Sequence, residues 1–388
     1  MQNDNLRMVQ VRDQVIIANL VSGAWAKINS VHDNVTCSTA IDFIEEYITD
    51  ESQKHELLRL MQHDENVKRG STVHFILTDK CNLNCRTCCF DAKPTKNKQI
   101  ANEGLKQYLK KITDANPSNL ILTGGEPLLI KNLPELLQFA RANYDGFITL
   151  QTNGTLMDDN LAKVIKDTVD SVEISLDGAS EETVAPIRGK GVFAKSIRAI
   201  ELLKEQSFEN IVTSCVFIAK DPKLIEAYVR LNKDLGTRYM FRAFEPIGRG
   251  AKYADELRKS FVKGEANYES AKRTSSENLA LRKTLRARLA CGAASGMLGV
   301  TFDGYIYACP NLLEEKFRIG HLSDLSIAAL EQARGYDRIR SIFDREKHQS
   351  CKDCGIRYFC GVCLGGTDSA FQRDCDSQKI GISSFLWD

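Results

Sequence analysis

Short apolar runs and longer amphipathic stretches alternate through the middle of the chain. The runs are Val73–Thr78, Asn119–Thr123, Phe147–Gln151, Ser171–Leu176, Ile211–Ile218 and Tyr239–Phe244, each rich in β-branched or aromatic residues. Between them, Glu103–Ala115, Leu133–Asn143, Asn160–Asp167, Val192–Gln206 and Pro222–Leu235 carry helical periodicity, and Pro222 falls in a first turn, where proline is tolerated. Repeated strand-then-helix units predict an α/β fold, a parallel sheet with helices outside. The number of units favours a partial (β/α)6 barrel over a closed eight-fold one.

The flanks follow other patterns. Residues 1–70 read as a small α+β unit. The alternating run Arg7–Asn19 and the run Ala24–Ile28 predict a hairpin, and Ala40–Ile48 and Gln53–Gln62 predict two helices, the first after Ser38 or Thr39 as cap. The barrel is expected over 71–251. A polar helical linker, about Tyr253–Leu289, fills 252–290. Residues 291–388 are loop-rich, with strands Gly299–Phe302 and Tyr305–Ala308 joined by Asp303-Gly304, a strong hairpin signal.

Charge and composition narrow the function. The 52 Lys and Arg nearly cancel the 51 Asp and Glu, so no basic field exists to grip nucleic acid or a membrane surface. No run of apolar residues is long enough to span a bilayer, and no leader pattern opens the chain, so the expectation is a cytoplasmic protein. Thirteen cysteines are many for that setting. Cys81, Cys85, Cys88 and Cys89 form one group, and Cys351, Cys354, Cys360, Cys363 and Cys375 another; Cys37, Cys215, Cys291 and Cys309 stand apart. In a reducing compartment such clustering indicates metal or redox work rather than disulfides.

The first group reads Cys81-Asn-Leu-Asn-Cys85-Arg-Thr-Cys88, a C-x3-C-x2-C run directly after the first strand, at the carboxyl end of the sheet where active sites gather. Three thiolates can hold three irons of a 4Fe–4S cube and leave the fourth open. Zinc would require a fourth ligand, and no nearby His supplies one. Cys89 adjoins Cys88 and is left out of the set. Here the chain resembles the radical S-adenosylmethionine (radical SAM) enzymes, over about Ser71–Ala251, with the TIM-like partial barrel that the family implies. Thr123-Gly124-Gly125-Glu126-Pro127 matches the family's GGEP motif at the end of the second strand. Glycines allow close backbone approach, and Glu126 suits an ammonium group. The resemblance implies that this group is the amine of S-adenosylmethionine. Gln151-Thr152-Asn153-Gly154 and Ser175-Leu176-Asp177-Gly178 match further cofactor-contacting patterns, and Arg188 resembles the arginine that meets the methionine carboxylate. Thr87 stands where the family usually has an aromatic residue. The pair Gly248-Arg249, after the sixth strand, resembles a family element found near the adenosine, which makes Arg249 a further candidate.

The tail reads Cys291-x12-Gly304-x4-Cys309, then Cys351-x2-Cys354-x5-Cys360-x2-Cys363 and Cys375. It resembles the SPASM extension of radical SAM enzymes, although the family's usual third spacing is x3. The resemblance assigns Cys351, Cys354, Cys360 and Cys375 to one auxiliary 4Fe–4S cluster, and Cys291, Cys309 and Cys363 to another. The second set is one ligand short of a closed cube. Cys215 reads as a buried structural thiol. Taken alone, the paired C-x2-C elements also fit structural zinc.

The resemblance implies reductive cleavage of S-adenosylmethionine to a 5′-deoxyadenosyl radical, fed by an external flavodoxin- or ferredoxin-type donor. Auxiliary clusters then accept an electron from the oxidised substrate. No catalytic base is identifiable in the sequence. The N-terminal hairpin and helices resemble leader-peptide recognition elements, so a ribosomally made peptide or small protein is the expected substrate, cross-linked by thioether or carbon–carbon bonds. A folded protein or a cofactor precursor is the alternative. Sulfatase-maturing relatives carry an aspartate after the second tail cysteine, where this chain has Pro310. A pure electron relay is disfavoured, because it has no use for the GGEP motif.

Overall fold

The computed structural model describes residues 6–11, 14–20, 24–28, 71–96, 100–218, 222–261, 291–294, 296–360 and 363–365, with single positions at 44, 51, 54, 55 and 375. The two N-terminal helical patterns lie almost wholly outside these residues, as does most of the linker after Phe261. The chain divides into two compact units, one of 1–69, 267–291 and 341–388, the other of 70–266 and 292–340.

In the first unit β1 (Leu6–Val11), β2 (Gln14–Asn19) and β3 (Trp25–Ile28) form an antiparallel sheet with β2 central. The run read as one hairpin arm is itself a hairpin, since Val11 pairs with Gln14 and Leu6 with Asn19. The charged pair Arg12-Asp13 interrupts the apolar alternation there. Val9, Ile16, Ala18 and Leu20 on one face of this sheet share a core with Ile356, Tyr358, Phe359 and Cys360 of the tail. Trp25 meets Phe359 edge-on at 5.3 Å between ring centroids. Arg7 pairs with Glu346 at 2.5 Å, and Glu346 also accepts from the Tyr358 hydroxyl at 2.6 Å. So small a sheet cannot hide its apolar face alone; the cysteine-bearing tail completes its core.

The second unit is the α/β barrel sheet. Its strands are β4 (Thr72–Ile76), β5 (Asn119–Thr123), β6 (Phe147–Thr152), β7 (Ser171–Ser175), β8 (Ile211–Phe217) and β9 (Arg238–Ala243), paired parallel in that order. The connecting helices are α1 (Asn102–Asp114), α2 (Leu133–Ala142), α3 (Asp159–Thr168), α4 (Glu181–Arg188), α5 (Val192–Glu205) and α6 (Pro222–Leu235); α7 (Arg249–Phe261) follows β9. Val73, Phe75, Leu120, Leu122, Ile148, Leu150, Val172 and Ile174 are wholly buried at alternate strand positions. Helix α1 turns Leu105, Leu109 and Ile112 inward, and α2 turns Leu133, Leu136, Leu137 and Ala140 inward, at helical spacing.

Two features differ from the sequence pattern. Helix α4 was not expected: it is short and holds Pro186, but Ser180 and Thr183 form a capping box at its start. The second is β10 (Met297–Thr301), which pairs parallel with β4, Met297 opposite Thr72 and Thr301 opposite Ile76. It carries the expected hairpin to β11 (Tyr305–Tyr307), turning at Gly304 with φ of 87°, and β12 (Arg318–His321) adds beyond. The result is a nine-stranded sheet ordered β12-β11-β10-β4-β5-β6-β7-β8-β9. Among the described residues no helix is long and apolar enough to cross a membrane.

Candidate active site

The loop after β4 carries Cys81, Cys85 and Cys88 to the carboxyl end of the sheet, and neighbouring elements pin it there. Gly125 N–H donates to the Thr78 carbonyl at 2.7 Å and Glu126 N–H to Lys80 at 2.9 Å. A side chain on Gly125 would fall 2.0 Å from the Lys80 carbonyl oxygen, and one on Gly124, whose φ is 145°, 2.7 Å from that of Thr78. The paired glycines thus let the cysteine loop lie flat against the end of β5. From α4, the Ile187 carbonyl accepts from Arg86 N–H at 2.9 Å, and from α7 Glu256 pairs with the Arg86 side chain.

A second clamp comes from the first residue of α7. The buried Arg249 donates from its backbone to the Cys88 carbonyl at 2.9 Å and from its guanidinium to the Cys85 carbonyl at 3.0 Å, to Asp91 at 3.1 Å and to the Ala92 carbonyl. Arg249 is therefore not a surface arginine. It fixes the backbone that aims two of the thiols.

The three thiols lie within electrostatic range of one another. Burial pushes Cys81 up to about 12, with the charges of Glu126, Cys85 and Cys88 adding to it. Burial also raises Cys85, opposed by the neighbouring Arg188, whose Nη1 lies 4.0 Å from its sulfur. Such a group of buried thiols holds its thiolate form only beside compensating positive charge. Among the described residues no three His, Cys, Asp or Glu side chains close on a single ion.

Glu126 is 1% exposed, and its carboxylate accepts three hydrogen bonds: from Leu128 N–H at 3.0 Å, Thr152 hydroxyl at 2.5 Å and Asn153 N–H at 2.8 Å. Burial raises its carboxyl; these bonds and Arg188 favour its charge. A carboxylate offers about four lone-pair sites, so one remains for an ammonium donor. Asn153 donates to Asn82 at 3.0 Å and accepts twice from Thr155, tying the end of β6 to the cysteine loop. Asp177, also buried, accepts from Val216 N–H at 2.8 Å and pairs with Arg188 at 2.8 Å. Burial works against the charge on Arg188, but Asp177 and Cys85 outweigh it and hold the group firmly cationic. Ser175 ends β7 opposite Ser214 of β8. Thr87 is buried. Cys215 packs in an apolar cluster with Leu176, Val184, Val192 and Tyr228, as a structural thiol would.

In the other unit Cys351, Cys360 and Cys375 are buried and Cys354 is half-buried. Burial pushes the Cys351 thiol up to about 11, and the charges of Cys360, Cys375 and Cys354 add to it, so these thiols also gather in one place. Cys291 and Cys363 are half-buried, and Cys309, in the barrel unit, follows β11. No disulfide joins any described cysteine. One polar group on the barrel strands was not foreseen as a group: His74, Gln151, Glu173, Ser214 and Arg242, of which only Gln151 lies in a motif named above. The polar members of otherwise apolar strands were the available signal.

The family model of the Radical SAM superfamily matches residues 75–230, and that of the iron–sulfur cluster-binding SPASM domain matches 291–355. The chain belongs to the radical SAM superfamily, in the branch that carries a SPASM domain. It is an enzyme of radical chemistry, and its cofactors are 4Fe–4S clusters and S-adenosylmethionine. The mycofactocin maturase MftC of Mycolicibacterium smegmatis is 25% identical over 75% of this chain and 80% of its own. The cysteine-type anaerobic sulfatase-maturating enzyme of Clostridium perfringens is 27% identical over 76% and 89%. Among solved structures, Streptococcus suis SuiB bound to its precursor peptide SuiA aligns with TM-score 0.59 and 14% identity over 94% of this chain and 100% of that one. The anSMEcpe enzyme with bound AdoMet gives 0.58 and 21% over 81% and 95%. These structures share the fold.

Proposed function

We propose that this chain oxidatively modifies a ribosomally made peptide, with the radical-generating site built by Cys81, Cys85 and Cys88. The observation that carries this is the thiol trio set beside Glu126, a buried carboxylate with one acceptor position left. The trio has the donor chemistry for a 4Fe–4S cluster with one iron open. Gly124 and Gly125 bring that carboxylate against the cysteine loop, where it can receive the ammonium of S-adenosylmethionine. Asn153, Ser175, Asp177 and Arg188 line the neighbouring strand ends; Arg188, kept cationic by Asp177, is the group for a carboxylate. When bound, cluster and S-adenosylmethionine together supply abstraction of a hydrogen atom from the substrate. The protein's part is to hold them, orient the substrate and exclude water.

In this reading Cys351, Cys354, Cys360 and Cys375 hold one auxiliary cluster, and Cys291, Cys309 and Cys363 belong to another. Clusters held by these residues would supply an acceptor for the electron that substrate oxidation releases, and a flavodoxin- or ferredoxin-type protein is the proposed external donor. The N-terminal antiparallel sheet is the element proposed to receive the peptide, by the strand pairing through which sheets take up extended peptides. The similarity to a mycofactocin maturase along four-fifths of that protein's length supports a peptide substrate. Cross-linking by a thioether or carbon–carbon bond is the expected outcome.

Sulfatase maturation is the second reading, favoured by the sulfatase-maturating relative. Pro310 weighs against it. A side chain on Gly299 would fall 2.7 Å from the Pro310 Cα, so this segment is packed against β10 and lacks the acidic group of those enzymes.

The test is an anaerobic incubation of reconstituted protein with S-adenosylmethionine, a strong reductant, and either a short peptide encoded beside this chain or a sulfatase-type peptide bearing Cys or Ser. Formation of 5′-deoxyadenosine with oxidative loss of hydrogen from the encoded peptide supports the proposal. Reaction of the sulfatase-type peptide alone transfers support to the second reading. Absence of 5′-deoxyadenosine overturns both.

A further inference from the structure

Five strands of the barrel each place one polar side chain on the face opposite the helices. Along β7, Val172 and Ile174 are wholly buried on the helix side, and Glu173 lies on the other. Its register partner on β6 is Gln151, whose amide donates to Glu173 at 2.9 Å. From β9, Nη2 of Arg242 donates to both Glu173 oxygens, at 2.7 and 2.9 Å, and Nε donates to the Ser214 hydroxyl of β8 at 2.9 Å. His74 of β4 completes the group. Burial pushes it down to about 4, Arg242 pushes the same way and Glu173 opposes, so the ring stays neutral in the physiological range. The cysteine loop borders the same group, since the charge of Arg242 reaches the Cys89 thiol.

Packing does not explain this arrangement. A polar pair on a sheet face is expensive unless it is satisfied or used. Glu173 is 8% exposed and its two oxygens take three hydrogen bonds. Arg242 is different. Two of its three nitrogens are committed, Nη1 makes no hydrogen bond among the described residues, and the side chain is 42% exposed. Glu173 and Ser214 hold the planar fork in one orientation and leave one edge of it open. A guanidinium fixed in this way is prepared for an acceptor that arrives later.

The charge count selects that acceptor. Glu173 and Arg242 cancel each other and His74 is neutral, so a second carboxylate would leave the group with unbalanced negative charge in a partly enclosed site. A neutral carbonyl oxygen leaves it balanced. We propose that Arg242 is a substrate-positioning residue whose Nη1 edge donates to a backbone carbonyl of the peptide substrate inside the barrel, with Glu173 and Ser214 fixing its orientation. This rests on the reading of the chain as a peptide maturase and adds the recognition element to it.

The test uses cluster-loaded enzyme with S-adenosylmethionine and, as probe, the fluorescein-labelled encoded peptide that wild type modifies. Arg242→Gln is expected to weaken peptide binding by roughly tenfold or more, the scale of one hydrogen bond to a charged group, and Arg242→Lys to recover part of it. Glu173→Gln leaves the guanidinium but loosens its hold, and an intermediate loss is expected; this variant serves if Arg242→Gln does not load iron. A peptide with its Asp and Glu replaced by Asn and Gln should show the same loss with Arg242→Gln. Equal affinities for wild type and all three variants overturn the proposal. A loss that vanishes with the carboxylate-free peptide overturns the neutral acceptor in favour of an anion anchor. If wild type modifies no peptide while still forming 5′-deoxyadenosine, the maturase reading fails and this proposal fails with it.

Discussion

Gly248 sits against the cluster loop so closely that a side chain there would fall 2.1 Å from the Cys89 carbonyl oxygen and 2.8 Å from that of Cys88, and its φ is 56°. Both conditions demand glycine. The residue is not in the cysteine motif, but the turn at Gly248 and the start of α7 hold the third cysteine in place, the Arg249 and Gly250 N–H groups donating to the Cys88 carbonyl. Gly248→Ala should cost upward of about 2 kcal/mol from the left-handed backbone and the contact together. Anaerobic reconstitution should then load about four fewer irons per chain than wild type, which should approach about twelve. Full iron content in Gly248→Ala would show that the turn is dispensable to the loop.

Asp177 and Arg188 illustrate a buried pair whose partners are not interchangeable. The Asp177 side chain has no exposed surface and that of Arg188 is 11% exposed. Asp177→Asn strands the guanidinium beside Cys85 and should destabilise the apo fold by about 3 kcal/mol or more. The double change Asp177→Asn with Arg188→Met should recover part of that stability in urea unfolding. It should not recover cofactor binding, measured by equilibrium dialysis. Recovery of both would place the pair outside the cofactor site.

His74 gives a pH dependence with a definite sign. Its pKa is lowered from 6.5 to about 4 by burial first and by Arg242 second. Below the ordinary value the unfolded state binds a proton that the folded state refuses, so stability falls as pH falls between about 6.5 and 4. Between pH 7.5 and 5 this costs about 2 kcal/mol. His74→Gln should flatten that part of the curve in denaturant unfolding of iron-free protein. An unchanged slope would mean that the ring titrates normally.

The parallel sheet was legible because buried parallel strands are nearly continuous apolar runs, and predicted and observed bounds of β5 and α6 coincide. The cysteine trio and Glu126 could be proposed from the sequence because their chemistry depends on local spacing, and the fold brings them together at the carboxyl end of the sheet. What escaped depends on distance. The pairing of β10 with β4 joins residues more than two hundred positions apart, and no local pattern encodes it. Helix α4 was masked by Pro186, although its capping box was readable. Glu173 and Arg242 were each visible as a polar residue within an apolar strand, but only the register β6-β7-β8-β9 brings them together. The core shared by the N-terminal sheet and the tail likewise joins the chain's two ends.

That shared core bears on how the tail works. Cys354 and Cys360 pack against the cluster that includes Val9, Ile16, Ala18 and Leu20, and Arg7 reaches Glu346 a few residues before Cys351. The sheet proposed to receive peptide thus also shapes the segment proposed to hold an auxiliary cluster. Removing a ligand and removing the support should be separable. Cys354→Ala should abolish peptide modification while sparing more of the substrate-free cleavage of S-adenosylmethionine, because Cys354 lies in a different compact unit from Cys81, Cys85 and Cys88. Ile16→Ala empties a fully buried site and should cost about 2–5 kcal/mol locally. It should lower the iron bound at Cys351, Cys354, Cys360 and Cys375 without a change of ligand, while the S-adenosylmethionine-dependent spectroscopic signature of the first cluster persists. Equal loss of both clusters in Ile16→Ala, or equal loss of cleavage and modification in a Cys354→Ala protein with a fully loaded first cluster, would mean that the two sites do not stand independently.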